Sequence, residues 1–144
     1  MRHAARVQAM IGALVVLLVS VIPAIFIAET ITKRRRRAKW LQGRGAISND
    51  EFCASLGPVP VSRDAAVRVR SEVGHATKVP PDLIAASDGI RELEAVGQGS
   101  HPEIIDYFTD LLFVEEPAKE SILVTVRDLV IEFGPQLDRS VRDQ

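Results

Sequence analysis

Residues 31–40 read "ITKRRRRAKW", and what these ten residues separate decides the fold. Arg34, Arg35, Arg36 and Arg37 stand between Lys33 and Lys39, with Trp40 directly after. On the N-terminal side, Val7 through Ala28 contains no charged residue, and Gln8 is its one strongly polar member. As a helix rising ~1.5 Å per residue, this run spans roughly 33 Å, about the thickness of a hydrocarbon core. A secretory signal has a shorter apolar core, of about 7–15 residues, and a small-x-small cleavage site. Here Phe26 before Ala28 breaks that pattern. The run therefore reads as a retained anchor holding the lipid bilayer through residues 7–28.

Direction follows from the basic residues flanking the span. Arg2 and Arg6 precede it, whereas Lys33, Arg34, Arg35, Arg36, Arg37, Lys39 and Arg44 follow it. The positive-inside rule then predicts a single-pass protein, with the N-terminus outside and the remainder cytoplasmic. Trp40 suits the headgroup level, where an amphipathic ring is favoured. The cluster from Lys33 to Lys39 has a second reading as a patch for anionic lipid headgroups or nucleic acid. The plainer reading is a stop-transfer and topology signal. Ser20, Ala24 and Ala28 recur at the spacing of small residues in paired helices, and Pro23 is a potential kink.

Charge separates the two parts of the chain. Residues 1–44 carry nine Lys/Arg and one acid, Glu29, whereas residues 45–144 carry nine Lys/Arg and eighteen Asp/Glu. An acidic body repels phosphates, which argues against nucleic acid as its partner. Cys53 is the one cysteine, so no intrachain disulfide forms; it suits a small buried apolar position better than a reactive thiol.

Helix signals fill the body. "QGRG", Gln42 to Gly45, reads as a short flexible link. In "ISNDEF", Ser48 can cap, Glu51 lies three residues on, and Ile47 can pack on Phe52; Gly57 and Pro58 end this helix. A second helix starts near Ser62. Ala66, Val69, Val73 and Ala76 make its apolar stripe, with Arg63, Arg68, Arg70 and Glu72 on the other side. A structured loop follows, anchored inward by Leu83, Ile84, Ile90 and Leu93. "SHPEIIDYFTDLLF" repeats the capping pattern: Ser100 caps, Glu103 sits three residues later, and Ile104, Ile105, Phe108, Leu111 and Leu112 form the buried face. A last helix, with Pro117 near its start and Ile122, Val126, Leu129, Val130 and Phe133 inward, is expected to stop at Gly134–Pro135.

The expected fold class is therefore all-α: a single transmembrane helix followed by a small helical bundle. The expected divisions are a transmembrane anchor at 1–32, a basic juxtamembrane linker at 33–47 and a leading helix at 48–57. A bundle at 58–135 and a polar tail at 136–144 complete the chain.

The order of these segments resembles the acyl carrier protein family from Ala65 to roughly Phe133. "VRSEVGHATKVPPDLI", Val69 to Ile84, is similar to the first carrier helix and its Gly-Val-x-x-x-x-Ile loop, with Lys78 in the glycine position and Val79 in the valine position. "SDGIREL" is similar to the segment that follows. The resemblance implies a long first helix, a structured loop, an acidic second helix, a minor helical turn and a last helix. It also implies a 4′-phosphopantetheine on the serine of an Asp-Ser-Leu triplet. Ser100 stands at the corresponding place, but Gly99 replaces the aspartate, His101 replaces the leucine and Pro102 follows. The expectation is a degenerate carrier without a prosthetic group, the alternative a working carrier modified on Ser100.

Between Arg91 and Lys119 there is no Lys or Arg, while Glu92, Glu94, Glu103, Asp106, Asp110, Glu115 and Glu116 are all acidic. Carriers present such a helix to basic partner proteins, and Glu92, Glu94, Glu103, Asp106 and Asp110 are the expected docking residues. Long-range steering between opposite charges is the physical basis. No enzyme is expected: His3, His75 and His101 lie in unrelated segments, Ser100 beside His101 makes no triad, and Asp106 with Asp110 makes a poor metal site. A small membrane adaptor of unrelated helical fold, holding lipid through its arginines, is the third possibility.

Overall fold

The computed structural model describes residues 2–99, 103–114 and 123–142. These residues form six α-helices and no β-strand: α1 (Arg2–Gln42), α2 (Asn49–Leu56), α3 (Arg63–Thr77), α4 (Ile90–Val96), α5 (Ile104–Leu112) and α6 (Val126–Arg142). A 3-10 turn (Pro81–Leu83) lies between α3 and α4. Two compact units emerge, Met1–Ala38 and Lys39–Gln144. The all-helical class is as the sequence predicts.

The first unit is helix α1 up to Ala38. It is long and apolar enough to cross a membrane. Its large apolar side chains, from Met10 to Ile31, are exposed within the protein. Ser20, Thr30 and Thr32 turn their hydroxyls back onto the carbonyls of Val16, Phe26 and Ala28, at 2.8 Å each. This removes their hydroxyl donors from an apolar surrounding, where an unmade hydrogen bond is costly.

In the second unit the helices enclose one core. Helix α2 starts as expected. Ser48 accepts from the Glu51 amide at 3.2 Å, while Glu51 Oε2 accepts from the Ser48 amide at 2.8 Å. Phe52 is fully buried and Ile47 is half-buried against the core. Helix α3 also starts as expected, with Ser62 capping Ala65. Its stripe of Ala66, Val69, Val73 and Ala76 is buried. Its main neighbour is α6, which contributes Val126, Leu129, Val130 and Phe133 to the core. Phe108 of α5 stacks on Phe133 with ring centroids 5.0 Å apart.

Arg70 departs from expectation. It is one of the most buried large side chains of the protein, not part of the outer face of α3. Its Nε donates to the Ile84 carbonyl at 2.9 Å, Nη2 to the Ile47 carbonyl at 2.9 Å, and Nη1 to Asn49 Oδ1 at 3.0 Å. The guanidinium lies over the Phe52 ring, 4.7 Å from its centroid. Burial holds the Arg70 pKa below its ordinary value, with Asp82 and Asp88 opposing that shift. The reason for the inward position is spacing: 70 lies four after Ala66 and three before Val73, on the buried stripe itself.

Three further expectations change. The loop after α3 contains an extra helix, α4, with Ile90, Leu93 and Val96 buried. The last helix begins at Val126; residues 123–125 are not helical, and Gly89 and Thr125 form an isolated antiparallel bridge. Pro117 and Ile122 lie outside the described residues. Asp128 sets this start, because its Oδ2 accepts from the Thr125 amide and hydroxyl at 2.8 Å each and from the Val124 amide at 3.1 Å.

Finally, α6 does not stop at Gly134–Pro135 but runs to Arg142, so residues 136–142 are helix and not a polar tail. Continuing it buries Leu137. It also brings Asp138 to the start of α3, where Asp138 accepts from the Ser62 amide at 3.0 Å and from the Ser62 hydroxyl. Gly134 allows the close approach, since a Cβ there would fall 2.7 Å from Val61 Cγ1. Pro135 costs one backbone bond, to the carbonyl of Ile131, a residue that is itself exposed to solvent.

Candidate functional site

The expected docking acids have three different fates. Glu92 is exposed but engaged: the Trp40 indole donates to its Oε1 at 2.7 Å. Glu94 is half-buried, and its Oε1 accepts from the amide of Ile104 at 2.8 Å. It therefore supplies the acceptor at the start of α5 that Ser100 was expected to supply. The N-cap position of α5 is Glu103, whose side chain makes no capping bond. The helix begins at Ile104, so its cap lies three residues beyond the expected Ser100. Ser100, His101 and Pro102 themselves lie outside the described residues.

Glu103, Asp106 and Asp110 are exposed. Asp106 and Asp110 are four residues apart on one side of α5, and Glu103 stands just before its start. Phe113, three residues beyond Asp110, is 92% exposed and closes the helix in the left-handed region at φ 53°. A bulky residue there is uncommon. Leu111, expected inside, is 38% exposed, while Ile104, Ile105 and Phe108 are buried as expected. On the other side of α5, the Tyr107 hydroxyl donates to Glu72 Oε2 at 2.6 Å. Burial, assisted by Glu72, pushes the Tyr107 pKa up to about 12.

The expected membrane-surface residues divide as well. Lys33, Arg34, Arg35, Arg36 and Lys39 are exposed along α1, and Arg37 is half-buried. Trp40 is half-buried against the body's core cluster. The supposed flexible link after it is tied down. The Arg44 guanidinium stacks 3.6 Å from the Trp40 ring centroid. Its Nη1 donates to Asp88 Oδ2 at 2.6 Å and to the Leu83 carbonyl at 3.3 Å. Asp88, 6% exposed, also accepts from the Ala85 amide at 2.8 Å. Arg44, Trp40, Asp88 and Glu92 thus form one cluster binding residues 40–44 to the start of α4. Sequence reading missed it because its partners lie more than forty positions apart.

An open cleft of about 590 Å³ lies beside this cluster, lined by Arg44, Ile47, Glu51, Leu83, Ala86 and Ser87 among others. Its strongest polar groups are committed elsewhere, Arg44 to Asp88 and Glu51 to the α2 cap.

A phosphopantetheine group requires a serine hydroxyl at a helix start. The first α-helix after the α3 loop is α4, and it opens on Gly89, flanked by Asp88 and Ile90. Position 99 has no room for a side chain, because a Cβ on Gly99 would fall 1.5 Å from the Ala76 carbonyl oxygen. No protein-family model matches the chain, and no curated protein or solved structure matches it either.

Proposed function

We propose that the protein is a membrane-tethered, single-pass interaction module. Its helical body lies on the cytoplasmic side and docks a basic protein partner through α5, in a carrier-like arrangement without a prosthetic group. The observation that carries this reading is the exposed stripe of Glu103, Asp106 and Asp110 ending at the exposed Phe113. No Lys or Arg interrupts the sequence from Glu92 to Val114. Acids arranged this way steer a cationic surface by long-range attraction, and an exposed aromatic supplies the apolar anchor that charge alone lacks.

Two features support the carrier-like part. Val79 and Ile84, the apolar positions of the resembling loop, are both buried. Lys78, in the glycine position, has φ 57°, the left-handed backbone that glycine adopts most readily. Gly99 and His101, in place of the triplet's aspartate and leucine, support the absence of a prosthetic group. The apolar length of α1 and the basic residues after it support the anchor and its direction.

A photo-crosslinker placed at Thr109 of the full chain, in cells, tests the docking face. A captured protein with a basic surface is expected, lost when Asp106→Lys and Asp110→Lys are combined. The same capture from both chains would refute the docking face. Protease added to sealed cells should leave residues 45–144 intact, and their digestion would reverse the orientation. Co-expression with a broad-specificity phosphopantetheinyl transferase should leave the intact mass unchanged. A gain of one prosthetic group, abolished by Ser100→Ala, would establish a working carrier instead.

A further inference from the structure

Helix α1 is continuous from Arg2 to Gln42, so the cationic run is helical throughout. Five consecutive residues at about 3.6 per turn pass once around the axis. Lys33, Arg34, Arg35, Arg36 and Arg37 therefore form a collar of charge and not a stripe, gathered within about 6 Å along the helix. Lys33, Arg34, Arg35 and Arg36 are exposed. Among the described residues none of these four makes an ion pair, because the pairs present belong to Arg44 and Arg63. Glu29, the nearest acid in sequence and one turn earlier, pairs with none of them.

The collar's height follows from the same geometry. The uncharged run ends at Ala28, so Lys33 lies about 7–8 Å further along the axis and Arg37 about 13–14 Å. The headgroup zone of a bilayer is roughly 5–8 Å deep on each side. The field of an anionic leaflet reaches about one Debye length beyond, ~8–10 Å. Long basic side chains can also lean back along the helix to reach that layer. A topology signal requires only an excess of positive charge on one side. A complete ring at the outer edge of the headgroup zone, four-fifths arginine and within side-chain reach of the phosphates, does more: each guanidinium can take a phosphate oxygen pair in bidentate fashion.

We propose that Lys33–Arg37 is a binding site for anionic lipid headgroups, which gathers a shell of acidic phospholipid around α1. The proposal rests on α1 spanning the membrane. Charge on every side of the helix makes the site a shell of several lipids, not one lipid in a pocket. Nucleic acid is the less favoured occupant, because the acidic body and an anionic leaflet both repel it.

The test uses the full chain reconstituted into phosphatidylcholine vesicles containing trace spin-labelled lipid. The wild-type chain should immobilise spin-labelled phosphatidylglycerol at least about threefold more than spin-labelled phosphatidylcholine, as expected for several juxtamembrane cations. The preference should fall toward unity in high salt. It should also vanish when Arg34, Arg35, Arg36 and Arg37 are all changed to Asn, and weaken without vanishing when all four are changed to Lys. Equal immobilisation of the two lipids by a chain that floats with vesicles after an alkaline wash would overturn the collar and leave the anchor standing. Failure to float would overturn both. Salt-sensitive binding of an RNA oligonucleotide in phosphatidylcholine vesicles, without a preference for the acidic lipid, would replace lipid by nucleic acid.

Discussion

The starts of α2 and α5 carry the same sequence signature but are built differently. Ser48-Asn-Asp-Glu51 and Ser100-His-Pro-Glu103 both place a serine three residues before a glutamate. At the first, the reciprocal bonds form, and Arg70 adds two more from outside, to the Ile47 carbonyl and the Asn49 side chain. At the second, the helix begins only at Ile104, and its first amide is taken by Glu94, from the preceding helix. A capping pattern thus describes what a segment can do, while the neighbouring element decides whether it is used. Pro102 bears on the difference, because it fixes φ and has no amide hydrogen to offer.

The largest test of this contrast removes what holds α5 when no local box does. Phe108 is fully buried and stacked on Phe133. Phe108→Ala should cost about 3–5 kcal/mol, enough to unfold much of a small domain, measured by chemical denaturation of the protein. A fully folded variant would mean that α5 is held by its start and not its core face.

Next comes Arg70→Ala, which strips donors from the Ile84 and Ile47 carbonyls and from Asn49. Buried acceptors left without donors cost about 1–3 kcal/mol each in the unrelaxed limit, so a loss of about 3 kcal/mol is expected. Arg70→Met keeps the stem's packing and should recover part of it. A loss under about 1 kcal/mol for Arg70→Ala would show the α2 start to be self-sufficient.

A paired substitution then sharpens the comparison directly. Glu94→Ala should destabilise by about 1–2 kcal/mol, while Ser100→Ala should stay within about 0.5 kcal/mol of wild type, and Ser48→Ala should cost about 1 kcal/mol. If Ser100→Ala matched Ser48→Ala, the serine and not Glu94 would hold the α5 start.

The smallest effect is one of pH. The Ser48 amide, then the Ser48 hydroxyl, hold the Glu51 carboxyl below its usual range. For Asp128, partial burial pushes upward, but the bonds from Thr125 and Val124, with Arg127 nearby, outweigh it and the net shift is downward. A carboxyl whose pKa is depressed by folding stabilises the fold above its unfolded value of about 4, and that contribution is lost as pH falls through the folded value. Melting temperatures should therefore decline as pH drops from about 5 toward 3, and Asp128→Asn should flatten part of that decline. An unchanged slope would separate Asp128 from the acid sensitivity.

What was legible in the sequence is what local physics fixes. The apolar run of α1, the box at Ser48, the cap at Ser62 and the stripe through Val69 and Val73 all depend on residues within a few positions. What was not legible depends on distant partners. Gly134–Pro135 is a strong local stop, yet burial of Leu137 and the bond from Ser62 to Asp138, 76 positions away, carry the helix past it. Gln42 to Gly45 has a linker's composition, yet Arg44 finds Asp88, 44 positions on. Arg70 was within reach of sequence reading, since its spacing from Ala66 and Val73 marked it as inward, but its charge argued the other way. At the candidate site the acids of α5 were legible as a run. That Glu92 and Glu94 have structural partners, and that Phe113 closes the stripe outward, required the fold.

The pairing of α3 with α6 has a consequence for how the chain is made. Thr77 and Val126 are 49 positions apart. At synthesis rates of about 5–20 residues per second, α3 emerges roughly 2–10 seconds before the first residue of α6. Through that interval Val69 and Val73 have no final wall to close against, although helices themselves form in about a microsecond. The nascent body is then a set of formed but uncovered helices. Its dependence on cellular holding factors should be set by the rate of translation across residues 78–125, so that synonymous codons slowing this stretch should lower the yield of folded protein without changing a single side chain.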